Sequence, residues 1–550
     1  EGLPTDPLIA RLLVNRGVKD VDSARRYLHP SFEDLHDPFL LANMEQAVLR
    51  VRQAIAECQS IVIFGDDDVD GVTSTTVLYQ FLQGVGADVR YFIPRRRLHG
   101  HGFNERAIAA AIGERKPQLM IATDCGLSSW HEVDWLHEQG IDTLIVDHHA
   151  LPDRLPEAII INPRLVGSAF PFIELAAVGV AFNFVLALRR HFEELGVLER
   201  TAGPNLLEYL DLVALGTVAD VVPLVDENRV FVRLGLEVLR RRRRCGVAAL
   251  LEKVNTDGQP ISERTICYRL APRLNAAGRV GDPNQCVSLL CADRYGVAQG
   301  LASALETYNE QRQLTEASIL DEAIAMAQMA VDEGRRVLVV ASDEWHQGVL
   351  GIVASRLLER FHRPSVLIAA ADAESRGSAR SPEGFNILDC LRMCEHLLVD
   401  FGGHSAAAGL TLKAENIPEF SQCIEDAAST LLGPRELPTP TLHIDAELHL
   451  SELSPKRLRR IEGLGPYGAG NREPAFVIRR LRLVRARVVG RNHLRLRVRN
   501  ERSTFEVIGF SMGETTLQQG SLIDVVLTPR LNAKSPSSIE YQLLAVQQSA

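Results

Sequence analysis

Along the first half of the chain, short β-branched runs alternate with longer stretches of helical period. IVIF (61–64), DVRYFIP (88–94), LMIATD (119–124), TLIVDHH (143–149) and AIIINP (158–163) are short and mostly apolar. Between them lie VTSTTVLYQFLQG, NERAIAAAIGE and SSWHEVDWLHEQG, whose apolar positions recur at helical spacing. Nearly continuous apolar strands are covered on both faces, which is the habit of parallel sheets. Strand–helix alternation then predicts a doubly wound α/β domain, placed at 46–283 behind a helical preamble over 1–45. A long connecting helix is expected over 284–334, where NEQRQLTEASILDEAIAMAQMAVDEG keeps helical period up to Gly334, a natural residue to follow a helix end. A second α/β unit is placed at 335–432, starting from RRVLVVAS. The proline-rich GPRELPTPT (433–441) reads as a linker. The region 442–550 is β-rich. In LRLRVRN, Arg495, Arg497 and Arg499 alternate with Leu494, Leu496 and Val498, as expected of a small barrel with a basic outer face.

Bulk properties narrow the class. With 550 residues the chain is too long for one core. No apolar run reaches the ~18 residues of a membrane span, so no membrane is expected. EGLPTDPLIA lacks the basic and apolar regions of a secretory signal, and Glu1 in place of methionine suggests trimmed numbering. Nine cysteines without a CxxC pair read as reduced, buried thiols of a cytoplasmic protein. The net charge of −10 gives no global signal for a polyanion, yet Phe476 to Asn500 carries nine arginines and no acid. That asymmetry suggests a polyanion-binding module. The run Arg240–Arg244 reads as a solvated helix end.

The acidic clusters change the picture further. GDDDVDG follows IVIF and carries Asp66, Asp67, Asp68 and Asp70. Two carboxylates ~4 Å apart repel by about 1 kcal/mol in water and several times more near an interior, so solvent, an arginine or a cation must compensate. TDCG adds Asp124, DHH adds Asp147, His148 and His149, and LVALGTVADVVPL adds Asp220. The reading places four acidic segments at one edge of one sheet, beyond the carboxyl ends of strands, where such sheets bind ligands. Any one segment alone could be a solvated turn. Carboxylates and imidazoles suit manganese, magnesium, zinc or iron, and the absence of thiolates favours Mn²⁺ or Mg²⁺. Carboxylates from different strand ends can bridge two ions ~3.5–4 Å apart, a clamp used in phosphoryl chemistry.

GDDDVDG, TDCG, VDHH and VAD resemble, in order, the motifs of the DHH phosphoesterase superfamily. LNAAGR (274–279), WHQGVLGIVASRL (345–357), GSARSPEGFNI (377–387), FGGHSAAAGL (401–410) and GPYGAGNREPAF (465–476) narrow the resemblance to the RecJ family, single-strand-specific 5′→3′ DNA exonucleases. It implies a DHH domain, a DHH-associated domain and a C-terminal OB-fold barrel. It further implies hydrolysis to 5′-mononucleotides by a metal-activated water, and a place in DNA repair and recombination. By position, Asp68, Asp70, Asp124, His148 and Asp220 match the family's metal ligands, with Asp124 as the bridge. Asp66 is a ligand or a group supporting one. Asp147 would hold the adjacent metal-bound imidazole. His149, turned away from His148 if the strand is still extended, would face the scissile phosphate.

The resemblance also implies a substrate path. Ser378 and Arg380 of GSARS, with Arg96 of IPRRRLHGHGF, would hold the 5′ phosphate. Arg273, Asn275 and Arg279 would contact the strand, as would His404, while His346 is structural. His101 stands where the family commonly has tyrosine, so stacking there would be by imidazole. Asp67 stands where an aromatic is usual. Selectivity for single strands would come from a narrow passage between the two α/β domains. A monomer is expected, with single-stranded DNA as partner and a single-strand-binding protein and a helicase as further candidates. A small-substrate DHH phosphoesterase and a non-catalytic replication scaffold are the competing readings.

Overall fold

The run IVIF folds as the strand β1 (Ile61–Gly65), buried along its whole length, with Val62 and Phe64 in an apolar core. The computed structural model describes residues 6–100, 102–196, 203–254, 260–371, 373–433, 437–490, 492–501, 503–532 and 535–549. Around β1 stand β2 (Val89–Phe92), β3 (Leu119–Thr123), β4 (Asp142–Val146) and β5 (Ile159–Ile161), in the order β2-β1-β3-β4-β5. All pairings are parallel, with Phe64 opposite Phe92, Gly65 opposite Thr123 and Thr123 opposite Val146. The order reverses at β1, so a crevice opens between the carboxyl ends of β1 and β3. Alternation sorts the side chains. Val62, Phe64, Met120, Ala122 and Ile145 share one core with Ala107 and Ile108 of the helix Glu105–Ile112 and with Leu136 of the helix Trp130–Glu138. Helices Val69–Gly84, Ala177–Glu194 and Leu210–Ala219 pack against one another.

The chain divides into two bodies. One draws on the residues up to Gly278, on Asp282–Leu305 and on the chain from His443; the other on Arg279–Gly281 and Glu306–Leu442. The long helix is shorter than expected. It runs Tyr295–Asp332, 38 residues, and 284–294 instead holds a separate helix, Asn284–Cys291, and a break. Its end matches the expectation, with Gly334 at φ +80°.

The second body has a mixed sheet of β6 (Leu338–Ser342), β7 (Ser365–Ala369), β8 (Ser375–Arg380), β9 (Leu398–Gly403) and β10 (Ala407–Leu412), in the order β6-β7-β8-β10-β9. Only β6 and β7 pair in parallel. Val366 and Ile368 pack with Phe420 and Ile424 on one face; Leu338 and Leu367 pack with Val353 and Leu357 on the other.

In the first body the C-terminal strands β11 (Ala446–Glu447), β12 (Phe476–Val489), β13 (His493–Arg499), β14 (Thr504–Gly509), β15 (Leu522–Asn532) and β16 (Ser535–Gln548) form a barrel, closed by the pairing of β12 with β15. As predicted, Leu494, Leu496 and Val498 are buried, while Arg497 and Arg499 are exposed and Arg495 half-buried. Arg482, Arg485 and Arg487 of β12 lie opposite Arg499, Arg497 and Arg495. The N-terminal segment is not a free preamble. Leu8, Ile9, Leu12 and Leu13 of the helix Pro7–Asn15 belong to the barrel's own core.

Two further expectations are corrected. Of the nine cysteines, all free, only Cys286, Cys390 and Cys394 are buried, and Cys58 is exposed. The arginine run is only partly solvated. Arg244 holds Asp211 through two nitrogens at 2.8 and 3.1 Å, and Arg240 donates to the Ile261 carbonyl. No helix among the described residues is long and apolar enough to cross a membrane.

Candidate metal centre

GDDDVDG turns sharply at the end of β1. Asp68 caps the helix Val69–Gly84, its Oδ1 accepting from the Gly71 N–H at 3.0 Å. Only glycine fits at 71, because a Cβ there would lie 2.5–2.8 Å from the Asp66 backbone. Asn275 accepts from the Val69 N–H at 3.1 Å and pins the turn. Asp70, one helical step on, accepts from the Ala177 and Val178 N–H groups at 2.7 and 2.9 Å, at the start of the helix Ala177–Glu194. Asp124 follows β3 with φ +61°, a left-handed step that redirects the chain as the strand ends.

Asp220 corrects the expectation of four strand-end segments. It caps the C-terminus of the helix Leu210–Ala219 rather than a strand. It comes close because Gly216, one turn earlier, lets that helix approach; a Cβ there would sit 2.3 Å from Thr73 Oγ1 and 2.9 Å from Asp70 Oδ1.

After β4 the strand has ended, so the expected divergence of the two histidines does not occur. Both rings approach Asp124 Oδ1, His148 Nε2 at 3.4 Å and His149 Nδ1 at 3.7 Å. Asp147 holds the other imidazole from the one expected. Its Oδ1 accepts from His149 Nδ1 at 2.7 Å and from the backbone N–H groups of His148 and His149. Two residues not singled out in the sequence complete the turn: Asn162 donates to the His149 carbonyl and Arg164 to that of His148. Their signal was INPR, which comes after AII just as the acidic motifs come after their own strands.

Three sets of side chains lie within 4.8 Å of one another: Asp66, Asp68 and Asp124; Asp70, His148 and Asp220; Asp124, Asp147, His148 and His149. Asp124 belongs to two of them, as does His148. Asp66 Oδ1, Asp124 Oδ1 and His148 Nε2 are buried and have no hydrogen-bond partner. Burial first, then neighbouring carboxylates, pushes Asp66, Asp70 and Asp124 well above the usual carboxylate range, and Asp220 up to about 7. Burial and the charge of His149 pull His148 down to about 4, so it is neutral at pH 7 and its contacts with the aspartates are not ion pairs. Burial also works against the charge of His149, but Asp147 outweighs it and lifts the imidazole to about 9. Buried acceptors that lack donors and repel one another are what a divalent cation site requires, and these oxygen and imidazole donors fit one. Cys125, beside Asp124, is held well above the ordinary thiol value by burial, so it remains a thiol.

The compensation sought for GDDDVDG is in part an arginine. Arg96 Nε and Nη2 grip Asp67 Oδ2 and Oδ1 at 2.5 and 2.7 Å. Burial opposes the guanidinium charge, but Asp67 and then Asp66 and Asp68 overcome this and raise its pKa. Of the other expected contacts, Arg273 donates to the Arg269 carbonyl and Arg279 to that of Gly348. In the second body Arg380 donates to Ser378 Oγ at 3.1 Å, and both sit against Gly351 in the first turn of the helix Leu350–Phe361. Burial alone lowers the Arg380 pKa. His404 is exposed, and His346 Nδ1 accepts from the Gly348 N–H. His101 lies outside the described residues.

A parallel sheet with carboxylates and a DHH turn at its switch point defines a DHH-type phosphoesterase. Residues 60–217 match the DHH family, N-terminal domain, residues 334–430 the DHHA1 domain, and residues 444–540 the RecJ OB domain. The single-stranded-DNA-specific exonuclease RecJ of Dickeya dadantii is 39% identical over 89% of this chain and 86% of that protein. RecJ of Bacillus subtilis is 39% identical over 94% of this chain, which spans 64% of that longer relative. Crystal structures of RecJ from Thermus thermophilus in complex with Mn²⁺ and with Mg²⁺ superpose with TM-scores of 0.83 and 0.78, at 30% and 28% identity, over 99% of this chain and 76% and 75% of those. The chain belongs to the RecJ family.

Proposed function

We propose that this protein is a metal-dependent exonuclease that degrades single-stranded DNA 5′→3′ to 5′-mononucleotides. The observation that carries this reading is the convergence of buried, partnerless Asp66, Asp124 and His148 atoms with further carboxylates at the sheet's switch point. Asp66, Asp68, Asp70, Asp124, His148 and Asp220 would hold two Mn²⁺ or Mg²⁺ ions, with Asp124 shared between them. Such ions neutralise the carboxylates and supply Lewis-acid activation for phosphodiester hydrolysis. His149, kept protonated by Asp147, contributes positive charge beside the cluster, where charge on the phosphate develops.

End recognition falls to the other body. Arg380, with no acidic partner among the described residues, joins the Ser378 hydroxyl and a helix N-terminus in a corner suited to a 5′ phosphate. Arg273 and Asn275 in the first body, and Arg279 and His404 in the second, would contact the strand. The barrel's arginines track the backbone electrostatically. A monomer in the cytoplasm, acting in repair and recombination beside a single-strand-binding protein and a helicase, completes the reading.

The test is digestion, with Mn²⁺, of a 5′-labelled long single strand, the matching duplex and a dinucleotide. Preference for the single strand is expected; preference for the dinucleotide would replace this reading by a small-substrate phosphoesterase. Asp124→Ala should stop nucleotide release and leave strand binding intact. Wild-type protein that binds strand with Mn²⁺ and releases nothing would make it a scaffold.

A further inference from the structure

The residue after Asp220 is in an unusual conformation. Val221 has φ +62°, left-handed backbone at a β-branched residue, and is exposed. It holds the position after a helix end that glycine or asparagine usually fills. The next few residues of the chain, Pro223 to Val225, are tightly held.

Those residues are gripped by the C-terminal barrel domain. The Leu224 N–H donates to the Ala469 carbonyl at 2.7 Å. Gly468 and Gly470 press on the same segment; a Cβ at 468 would lie 2.8 Å from Leu224 Cδ1, and one at 470 would lie 2.9 Å from Pro223 Cβ and 3.3 Å from Val225 Cγ1. Gly468 and Asn471 exchange backbone hydrogen bonds at 2.9 and 3.2 Å, so 468–471 is a tight turn. The turn is itself locked. The buried Asn471 amide donates to the Leu464 and Pro466 carbonyls and accepts from Tyr27 Oη and Arg16 Nε. From the far side, Asn228 donates to the Pro223 carbonyl at 3.0 Å.

We infer that the turn 468–471 is a positioning element for Asp220. Residues 223–225 are fixed between this turn and Asn228. With its exit fixed, the chain leaves the helix through the left-handed step at Val221. That step sets where the Asp220 carboxylate stands, with Oδ2 3.7 Å from His148 Nε2. The barrel thereby contributes to the cation site without supplying a ligand. Gly468 and Gly470 act through the loop and touch none of the candidate ligands.

This inference rests on Asp220 as a cation ligand, and the two can fail separately. Mn²⁺ affinity is measured calorimetrically on the full chain without DNA. Gly470→Ala is expected to weaken it about tenfold, the low end for groups that orient metal ligands. Adding Val221→Gly, which accepts the left-handed step without strain, should restore affinity to within about threefold because the loop then needs less restraint. A purely structural role would lower the melting temperature of Gly470→Ala and leave Mn²⁺ affinity and its rescue unmoved. Wild-type affinity in folded Gly470→Ala, or a loss that Val221→Gly does not rescue, overturns the inference. If Gly470→Ala does not fold, Asn228→Ala, which removes the hydrogen bond to the Pro223 carbonyl, is read the same way. Wild-type affinity in Asp220→Asn would remove the ligand reading instead.

Discussion

Breaking the Asp67–Arg96 pair should have very unequal consequences depending on which partner is removed. The Asp67 side chain is 2% exposed, that of Arg96 36%. Replacing Arg96 by alanine strands a buried carboxylate beside Asp66 and Asp68, a situation that costs about 3–5 kcal/mol in buried pairs. Asp67→Asn keeps the shape and removes the charge. The guanidinium left behind still faces Asp66 and Asp68 and can turn toward water, so its loss is that of a half-exposed pair, about 1 kcal/mol. Urea unfolding at pH 7.5 with chelator, on both single variants and the double variant, measures the two costs and the coupling. Equal costs for the two variants would refute this account of how GDDDVDG is held.

Other expectations arise from the same geometry. Because Asp66, Asp70, Asp124 and Asp220 are raised in the folded state, their contribution is fully present below ~4, the unfolded value, and is lost as pH rises through the folded values, about 7 for Asp220. The metal-free protein should therefore lose stability from pH 5 to pH 8 more steeply than its Asp220→Asn variant, and saturating Mn²⁺ should remove the difference; parallel slopes without metal would contradict the assignment. Arg244→Ala, which strands buried Asp211, should cost about 3–5 kcal/mol in urea melts, whereas exposed Arg241→Ala should stay within about 0.5. Removing Arg485 and Arg497, which face each other across β12 and β13, should lower the salt slope of single-strand binding by about 1.4, at ~0.7 per phosphate contact, and should not lower the melting temperature, since a like-charge cross-strand pair disappears with them.

Residue order by itself determined a good deal here. Continuous apolar runs are buried strands in any parallel sheet, and the residues just after each run lie at the sheet's carboxyl edge. That local rule carried Asp66, Asp68, Asp70, Asp124 and His148 to one place, and strict alternation separated the two faces of β13. Tertiary structure decided what local period cannot encode. Asp220 reaches the cluster from a helix end because Gly216 lets two helices touch, and the helix Pro7–Asn15 belongs to a barrel whose first strand begins only at Ala446. The same holds for pairings: Arg96 closes on Asp67, Arg244 on Asp211, and His149 rather than His148 on Asp147. Each depends on where a strand stops or which distant charge is left buried, and those are properties of the packed chain, since a side chain's partner is set by the space remaining after the backbones have met.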